Sequence, residues 1–440
     1  MQAFLRSAAR VVPSERQMAW FDTEFYAFFH FGMNTFTGRE WGEGAESPAL
    51  FNPERLDCDQ WAEAVKAAGA RGMVITAKHH DGFCLWPSKY TDHSVKNSPW
   101  QGGKGDVVRE VANACRRAGL KFGFYLSPWD RNCALYGTPA YNDYYKAQLT
   151  ELLTEYGDVF IVWFDGACGE GPNGRKQEYD FPGYVELVRK YQPGAVIFND
   201  HGPDVRWIGN ESGTARFAEW AVMPRELTHM AEVQTGPAPL HGCIPLDGIY
   251  NTMPDLGALS NIMLSGGLCF CPAEVDMSIR PGWFYHPEEE PHSLDRLKRT
   301  YITSVGGNAC LHLNVPPTKD GLLDPRDVAR LRELGDWLRA SFSHPLEARV
   351  EPSGWDYILS LPEKAAIRHV VLQEDIRQGQ RVEAFSLEAQ DEYGQWRAIY
   401  HGSTIGHKRI CPVSAQTGAL RVRIRSARDS VNMLSIAVFE

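Results

Sequence analysis

Several familiar chemistries are missing from this chain. Its ten cysteines contain no C-x-x-C pair, and the nearest two, Cys269 and Cys271, would alternate faces on a strand. That argues against a zinc ribbon or a disulfide framework and for a reducing compartment. No G-x-S-x-G elbow is present, which disfavours a serine hydrolase, and no G-x-G-x-x-G follows the first apolar run, which weakens a dinucleotide site. Positive charge is in short supply, with 45 Lys and Arg against 55 Asp and Glu, a net charge of -10. Nucleic acid and anionic membrane are therefore not expected partners. No stretch approaches the roughly 20 apolar residues needed to span a bilayer, and residues 1–10 carry two Arg without an apolar leader core. The expectation is a soluble, cytoplasmic protein of undetermined oligomeric state.

What is present is a long chain, 440 residues, with a 12% aromatic content that includes 13 Trp. This length predicts one large domain and one smaller one, divided here as residues 1–345 and 346–440. Residues 157–166 are a continuous apolar run closed by Asp165 and Gly166, the pattern of a buried parallel strand that carries one acid to the lip of a sheet. Similar runs lie at 25–31, 72–77, 120–126, 195–198, 207–208, 268–271 and 309–313. Helical periodicity separates them, beginning at Asp59 with Gly69 as its stop, at Asp106 with Gly119 as its stop, and again over 145–156, 184–191, 294–304 and 324–339. About eight strands alternating with helices predict an α/β fold, a (β/α)8-like barrel of regular or irregular closure, with a doubly wound sheet as the alternative. Beyond residue 345 the period changes to two, as in Leu420, Val422 and Ile424, which predicts a C-terminal β-sandwich.

The strand ends collect polar groups: His30, the run Lys78-His79-His80-Asp81, Tyr125, Trp129-Asp130, Asp165 and Asn210-Glu211. Each alone reads equally as a satisfied structural residue. The histidines show neither H-x-H nor H-E-x-x-H spacing, so hydrogen bonding to sugar hydroxyls is preferred to zinc ligation. Asp165 and Glu211, far apart in sequence but on one rim, have the form of the carboxylate pair that cleaves glycosidic bonds.

Five segments, in order, carry a resemblance to α-L-fucosidases of glycoside hydrolase family 29. They are His30-Phe31-Gly32-Met33-Asn34, Arg39-Glu40-Trp41-Gly42, Lys78-His79-His80-Asp81-Gly82, Trp163-Phe164-Asp165-Gly166 and Arg280-Pro281-Gly282-Trp283. The resemblance implies a retaining exo-hydrolase on an imperfect barrel, with no metal or organic cofactor. It places the nucleophile on Asp165 and fucose contacts on His30, Glu40, Trp41, His79, His80 and Tyr125. Trp283, with Phe31 as an alternative, would give the sugar methyl an apolar wall. The segment 207–213 is similar to the subfamily that cleaves α-1,3 and α-1,4 fucosyl linkages in Lewis-type glycans, which assigns the acid/base to Glu211, with Glu219 and Glu274 open as alternatives. The partner implied is a fucosylated oligosaccharide. A broad fucosidase accepting α-1,2, α-1,6 and aryl fucosides, and a lectin-like barrel without catalysis, are the competing expectations. The loop 166–181 is expected to shape the leaving-group side.

Overall fold

The apolar runs pair as parallel strands in the computed structural model, which describes residues 2–198, 202–225 and 255–440. In chain order they are β1 (Phe25–Phe29), β2 (Gly72–Lys78), β3 (Lys121–Leu126), β4 (Ile161–Trp163), β5 (Val196–Phe198) and β6 (Arg206–Trp207). Next, β7 (Val222–Pro224) and β8 (Leu268–Phe270) form a separate antiparallel pair, after which β9 (Ala273–Ser278) and β10 (Cys310–Asn314) return to the main sheet. The main sheet runs β5-β4-β3-β2-β1-β10-β9-β6, and a parallel bridge between Phe198 and Val205 joins its two ends. The result is a nearly closed (β/α)8 barrel. Side chains alternate as a barrel requires: along β1, Tyr26 and Phe28 join the interior cluster while Phe25, Ala27 and Phe29 pack with the helix layer around Trp61.

One expected barrel strand lies elsewhere. Residues 268–271 belong mostly to the antiparallel β7–β8 pair, and the barrel position is taken by β9, just downstream. The reason is polarity. On β9 the outward residues Val275 and Met277 join the helix-side core, while Glu274, Asp276 and Ser278 alternate with them and are also buried. A search for apolar runs passes over such a strand.

Helix starts follow side-chain caps. The Asp106 carboxylate accepts from Arg109 N at 2.8 Å, and Gly119, left-handed at φ 69°, ends that helix. The first barrel helix, Cys58–Ala67, starts one residue before the expected Asp59. Its cap is Asp57, which accepts from Gln60 N at 3.0 Å, while Asp59 reaches across to Arg117 Nη2 at 2.8 Å.

After the helix Pro325–Phe342 the chain becomes antiparallel: β11 (Arg349–Ser353), β12 (Asp356–Glu374), β13 (Val382–Gln390), β14 (Trp396–Gly402), β15 (Arg409–Ala427) and β16 (Met433–Phe439). β12 and β15 are 19 residues long and pair through register shifts, so the sheet folds over a core that includes Leu359, Leu372, Phe385 and Val422. This β-sandwich docks below the barrel. Lys408 pairs with Glu24, His407 stacks on Phe21 at 4.8 Å, and the His407 N–H donates to Asn308 Oδ1 at 2.7 Å. Glu24 precedes β1 and Asn308 precedes β10, so the docking surface is at the N-terminal ends of the strands.

Candidate active site

The opposite, C-terminal ends of the strands surround a cavity of about 140 Å³. The two assigned carboxylates and the seven assigned sugar contacts line it: Asp165 and Glu211, His30, His79 and His80, Glu40 and Trp41, Tyr125 and Trp283. Phe28, Trp163, Ala167 and Asp276 complete the wall. Phe31 does not. It turns outward onto Phe36, Phe51 and Trp61, and the apolar side chains lining the cavity include Phe28 and Trp283 instead.

Asp165 follows the end of β4. Its Oδ2 accepts from the Tyr125 hydroxyl at 3.0 Å and its Oδ1 from Ala167 N at 2.7 Å, so donors fix both oxygens while the group keeps contact with the cavity. Tyr125, fully buried and beside that carboxylate, is held as a neutral phenol: burial first, then the Asp165 charge, push its pKa far up.

The three histidines are neutral. Burial pushes His30 down to about 3, drives His79 well below its ordinary range, and lowers His80 against the opposing pull of Asp165. Their neighbours also assign the tautomers. Asn314 Nδ2 donates to Ser278 Oγ and the Trp283 carbonyl, so its Oδ1 accepts from His30 Nδ1 at 2.9 Å, leaving His30 Nε2 as an acceptor. Asn34 Nδ2 donates to the Glu40 carbonyl and to His79 Nδ1 at 3.3 Å, which puts the His79 proton on Nε2. Ser127 Oγ donates to the Trp129 carbonyl and accepts from His80 Nδ1 at 2.7 Å, leaving His80 Nε2 as an acceptor 4.0 Å from Asp165 Oδ2. Two acceptors and one donor in fixed positions suit a cluster of hydroxyl groups, each of which can both give and take a hydrogen bond. Among the described residues no cluster of His, Cys, Asp and Glu has the arrangement of a metal site.

Glu40 joins two loops: it accepts from Trp283 N at 2.9 Å and Phe284 N at 3.3 Å and meets His286 Nε2 at 2.8 Å. Trp41, 59% exposed, stands edge-on to His80 and Trp129 at the mouth. The loop after β4 is tied down by the Trp129 indole N–H on the Glu170 carbonyl and reaches the cavity through Ala167.

Glu211 differs from Asp165. It follows β6 on an exposed turn and, among the described residues, takes one donor, the Trp283 indole N–H, at 3.2 Å on Oε2. Loss of hydration in the pocket wall, reinforced by the charges of Asp165 and Glu40, raises its pKa. The other two glutamates considered from sequence line neither this cavity nor its rim. Glu219 is buried against Arg206 and lies 3.5 Å from Arg216. Glu274 is wholly buried beneath the floor, accepting from Trp163 Nε1 at 2.8 Å, from His312 Nδ1 at 3.0 Å and from the Tyr26 hydroxyl.

Asp276 is the residue that the sequence reading missed. It lines the cavity, 4% exposed, and its Oδ1 accepts from the Trp207 indole N–H at 2.9 Å. Burial, then the nearby charges of Glu211 and Glu274, push its pKa well up. The signal was available in the alternation of Glu274, Asp276 and Ser278, two carboxyl groups two residues apart and therefore on one face of a strand.

A β/α barrel with four acidic side chains, Asp165 and Glu211 among them, and three neutral imidazoles facing one small cup at its carboxyl end is the architecture of a glycoside hydrolase. The model of the α-L-fucosidase family matches residues 9–341, and the chain belongs to that family, glycoside hydrolase family 29. It is 38% identical over 434 residues to α-L-fucosidase 1 of Arabidopsis thaliana, covering 91% of this chain and 81% of the plant protein. Among solved structures it is similar to a glycoside hydrolase 29 family member from an unknown rumen bacterium, with 40% identity, TM-score 0.87, and coverage of 98% of this chain and 77% of the other. A Ruminococcus gnavus family 29 fucosidase in complex with fucose aligns with TM-score 0.83 at 28% identity, covering 98% and 95%. The protein is an α-L-fucosidase, and its fold is that of its relatives.

Proposed function

We propose that this enzyme is a retaining exo-α-L-fucosidase that removes α-1,3- or α-1,4-linked L-fucose from branched, Lewis-type oligosaccharides. The observation that carries the mechanism is the contrast between two of the carboxyl groups of the cavity, Asp165 and Glu211. Asp165, with both oxygens fixed by a phenol and a backbone N–H, faces the sugar site and attacks the anomeric carbon to give a covalent fucosyl-enzyme. Glu211, whose pKa is raised, gives its proton to the departing oxygen and then takes one from the water that hydrolyses the intermediate. Retention requires the two carboxyl groups to work about 5 to 5.5 Å apart when fucose is bound. The engagement of Glu219 and Glu274 with buried partners supports Glu211 as the acid/base. His30, His79 and His80 with Glu40 and Tyr125 would divide the fucose hydroxyls among them, and Trp283 with Phe28 would take the methyl group.

Initial rates on a Lewis-type trisaccharide, on 2′-fucosyllactose and on an aryl α-fucoside test the linkage. A strong preference for the trisaccharide is expected, and equal turnover of all three would leave the broader fucosidase reading. Proton NMR of the first-released sugar tests the stereochemistry, with α-fucose expected. Glu211→Gln should lower turnover of the trisaccharide about 10²- to 10⁴-fold, the usual range for a general acid, and less for an aryl fucoside whose leaving group needs no proton.

A further inference from the structure

The chamber does not end at Glu211. A second cavity of about 270 Å³ lies beyond it, sharing Glu211 and Trp283 as a common wall. Ser278, Pro281 and three basic side chains, Arg280, His292 and Arg296, close the rest. Among the described residues, no carboxylate other than Glu211 faces it.

The two guanidinium groups are not equivalent. Arg280 is wholly buried and already neutralised: its Nε lies 2.8 and 3.0 Å from the oxygens of Asp327, and its Nη2 lies 3.2 Å from Asp324. Arg296, half-buried on the first turn of the helix Leu294–Ser304, has no acidic partner among the described residues. Its Nη1 donates to His292 Nδ1 at 3.3 Å, which makes that nitrogen an acceptor and the imidazole neutral. Burial and the neighbouring Arg296 charge both hold the His292 pKa below its ordinary value. A guanidinium drawn partly out of water without a counter-ion is a costly arrangement unless something else supplies the anion.

We infer that this second cavity is a leaving-group subsite for an anionic substituent, a carboxylate or a sulfate ester, on the oligosaccharide that carries the fucose. The inference rests on the reading of Glu211 as general acid. The acid stands on the leaving-group side of the glycosidic bond, so a chamber sharing Glu211 with the fucose cup continues along the departing sugar. Arg296 offers its planar fork of donors, suited to the paired oxygens of either group, and Arg280 is fixed behind it.

The test compares kcat/KM for three substrates: a neutral Lewis trisaccharide, the same compound bearing a sulfate ester, and one extended with a carboxylate-bearing sugar. The wild-type enzyme should prefer at least one anionic substrate by about tenfold, the scale of one charge-assisted hydrogen bond, and the preference should shrink at high ionic strength. Arg296→Gln should bring the ratio of anionic to neutral rates to about one. Arg296→Lys, which keeps the charge and loses the fork, should leave an intermediate ratio and stands in if the glutamine variant does not fold. A wild-type ratio near one for both anions, or a ratio that survives Arg296→Gln, overturns the subsite while the fucosidase reading stands. Failure to hydrolyse any of the three, or an aryl fucoside, would remove that functional reading and the subsite with it.

Discussion

Two polar layers lie one above the other in this barrel, and they treat carboxyl groups in opposite ways. In the lower layer Glu274 is sealed from water and surrounded by donors, with the Trp163 indole, the His312 imidazole and the Tyr26 hydroxyl all directed at it. In the upper layer Asp165 and Glu211 face the cavity, and Glu211 takes a single donor among the described residues, the Trp283 indole. Both layers are built from strand-end acids and aromatic N–H or O–H groups. What separates them is spare capacity: a carboxylate with its hydrogen bonds satisfied inside the protein holds the fold, whereas one with lone pairs open to a cavity can meet a substrate.

The sharpest break of this comparison is Asp165→Asn. The side chain keeps its shape and can still accept from Tyr125, so the protein should fold and bind fucose, while turnover falls about a thousandfold or more if Asp165 is the covalent nucleophile proposed above. Retention of most activity would place the reaction elsewhere in the cup.

Next in size is a stability contrast. Glu274→Ala leaves an indole N–H, a phenol and an imidazole without their acceptor in the barrel interior, and should destabilise by about 3 kcal/mol or more in denaturant titration. Glu211→Ala, on an exposed turn, should cost about 0.5 kcal/mol or less while abolishing efficient turnover of the trisaccharide. Equal destabilisation by the two variants would erase the distinction between the layers.

The pH profile sharpens the upper layer alone. In the proposed mechanism Glu211 is protonated for the first step, so kcat/KM should fall on the alkaline side at a pH above the ordinary carboxylate range, because burial and the charges of Asp165 and Glu40 raise its pKa. Glu40→Gln removes one of those charges and should move this limb to lower pH. Trp283→Phe removes the indole donor that stabilises the ionised form and should move it to higher pH. Limb positions separate these outcomes from any loss of sugar binding.

The same contrast explains what was legible in the sequence. Strands β1 to β5 announce themselves because both faces are apolar, and the rim above them is marked by polar residues at their ends, so the residues named from sequence come together around one cavity. β9 was missed because its inward face carries Glu274, Asp276 and Ser278, and the lower layer was missed with it: buried polar residues defeat a reading based on hydrophobic runs. The residues that fix the histidine tautomers, Asn34, Ser127 and Asn314, show no pattern of their own. Their roles depend on which side chains the barrel brings opposite them, contacts 45, 47 and 284 residues apart in the chain. Arg296 was passed over for a related reason, since an arginine on a helix reads as solvated surface until a cavity is found in front of it.

The smallest expected effect concerns Asp81, which stands behind the upper layer. Its Oδ1 accepts from Phe83 N at 2.8 Å, whereas its Oδ2 is buried without a partner, and the Asn34 Oδ1 is likewise buried and unsatisfied. Both flank Gly42: a Cβ there would lie 2.7 Å from Asn34 Oδ1 and 2.7 Å from the Asp81 Cβ. A proton on Asp81 relieves the cost of a buried charge, and burial accordingly pushes its pKa up from 3.8 to about 7. The folded state therefore holds this proton more tightly than the unfolded chain does. The stabilisation is fully present below about pH 4 and is lost progressively as the pH rises to about 7. Against a background set by the other titrating groups, Asp81→Asn should flatten that part of the Tm against pH curve by a few degrees. An unchanged slope in the variant would mean that Asp81 is ionised in the folded protein and that its buried oxygen belongs, like those of Glu274, to the satisfied layer.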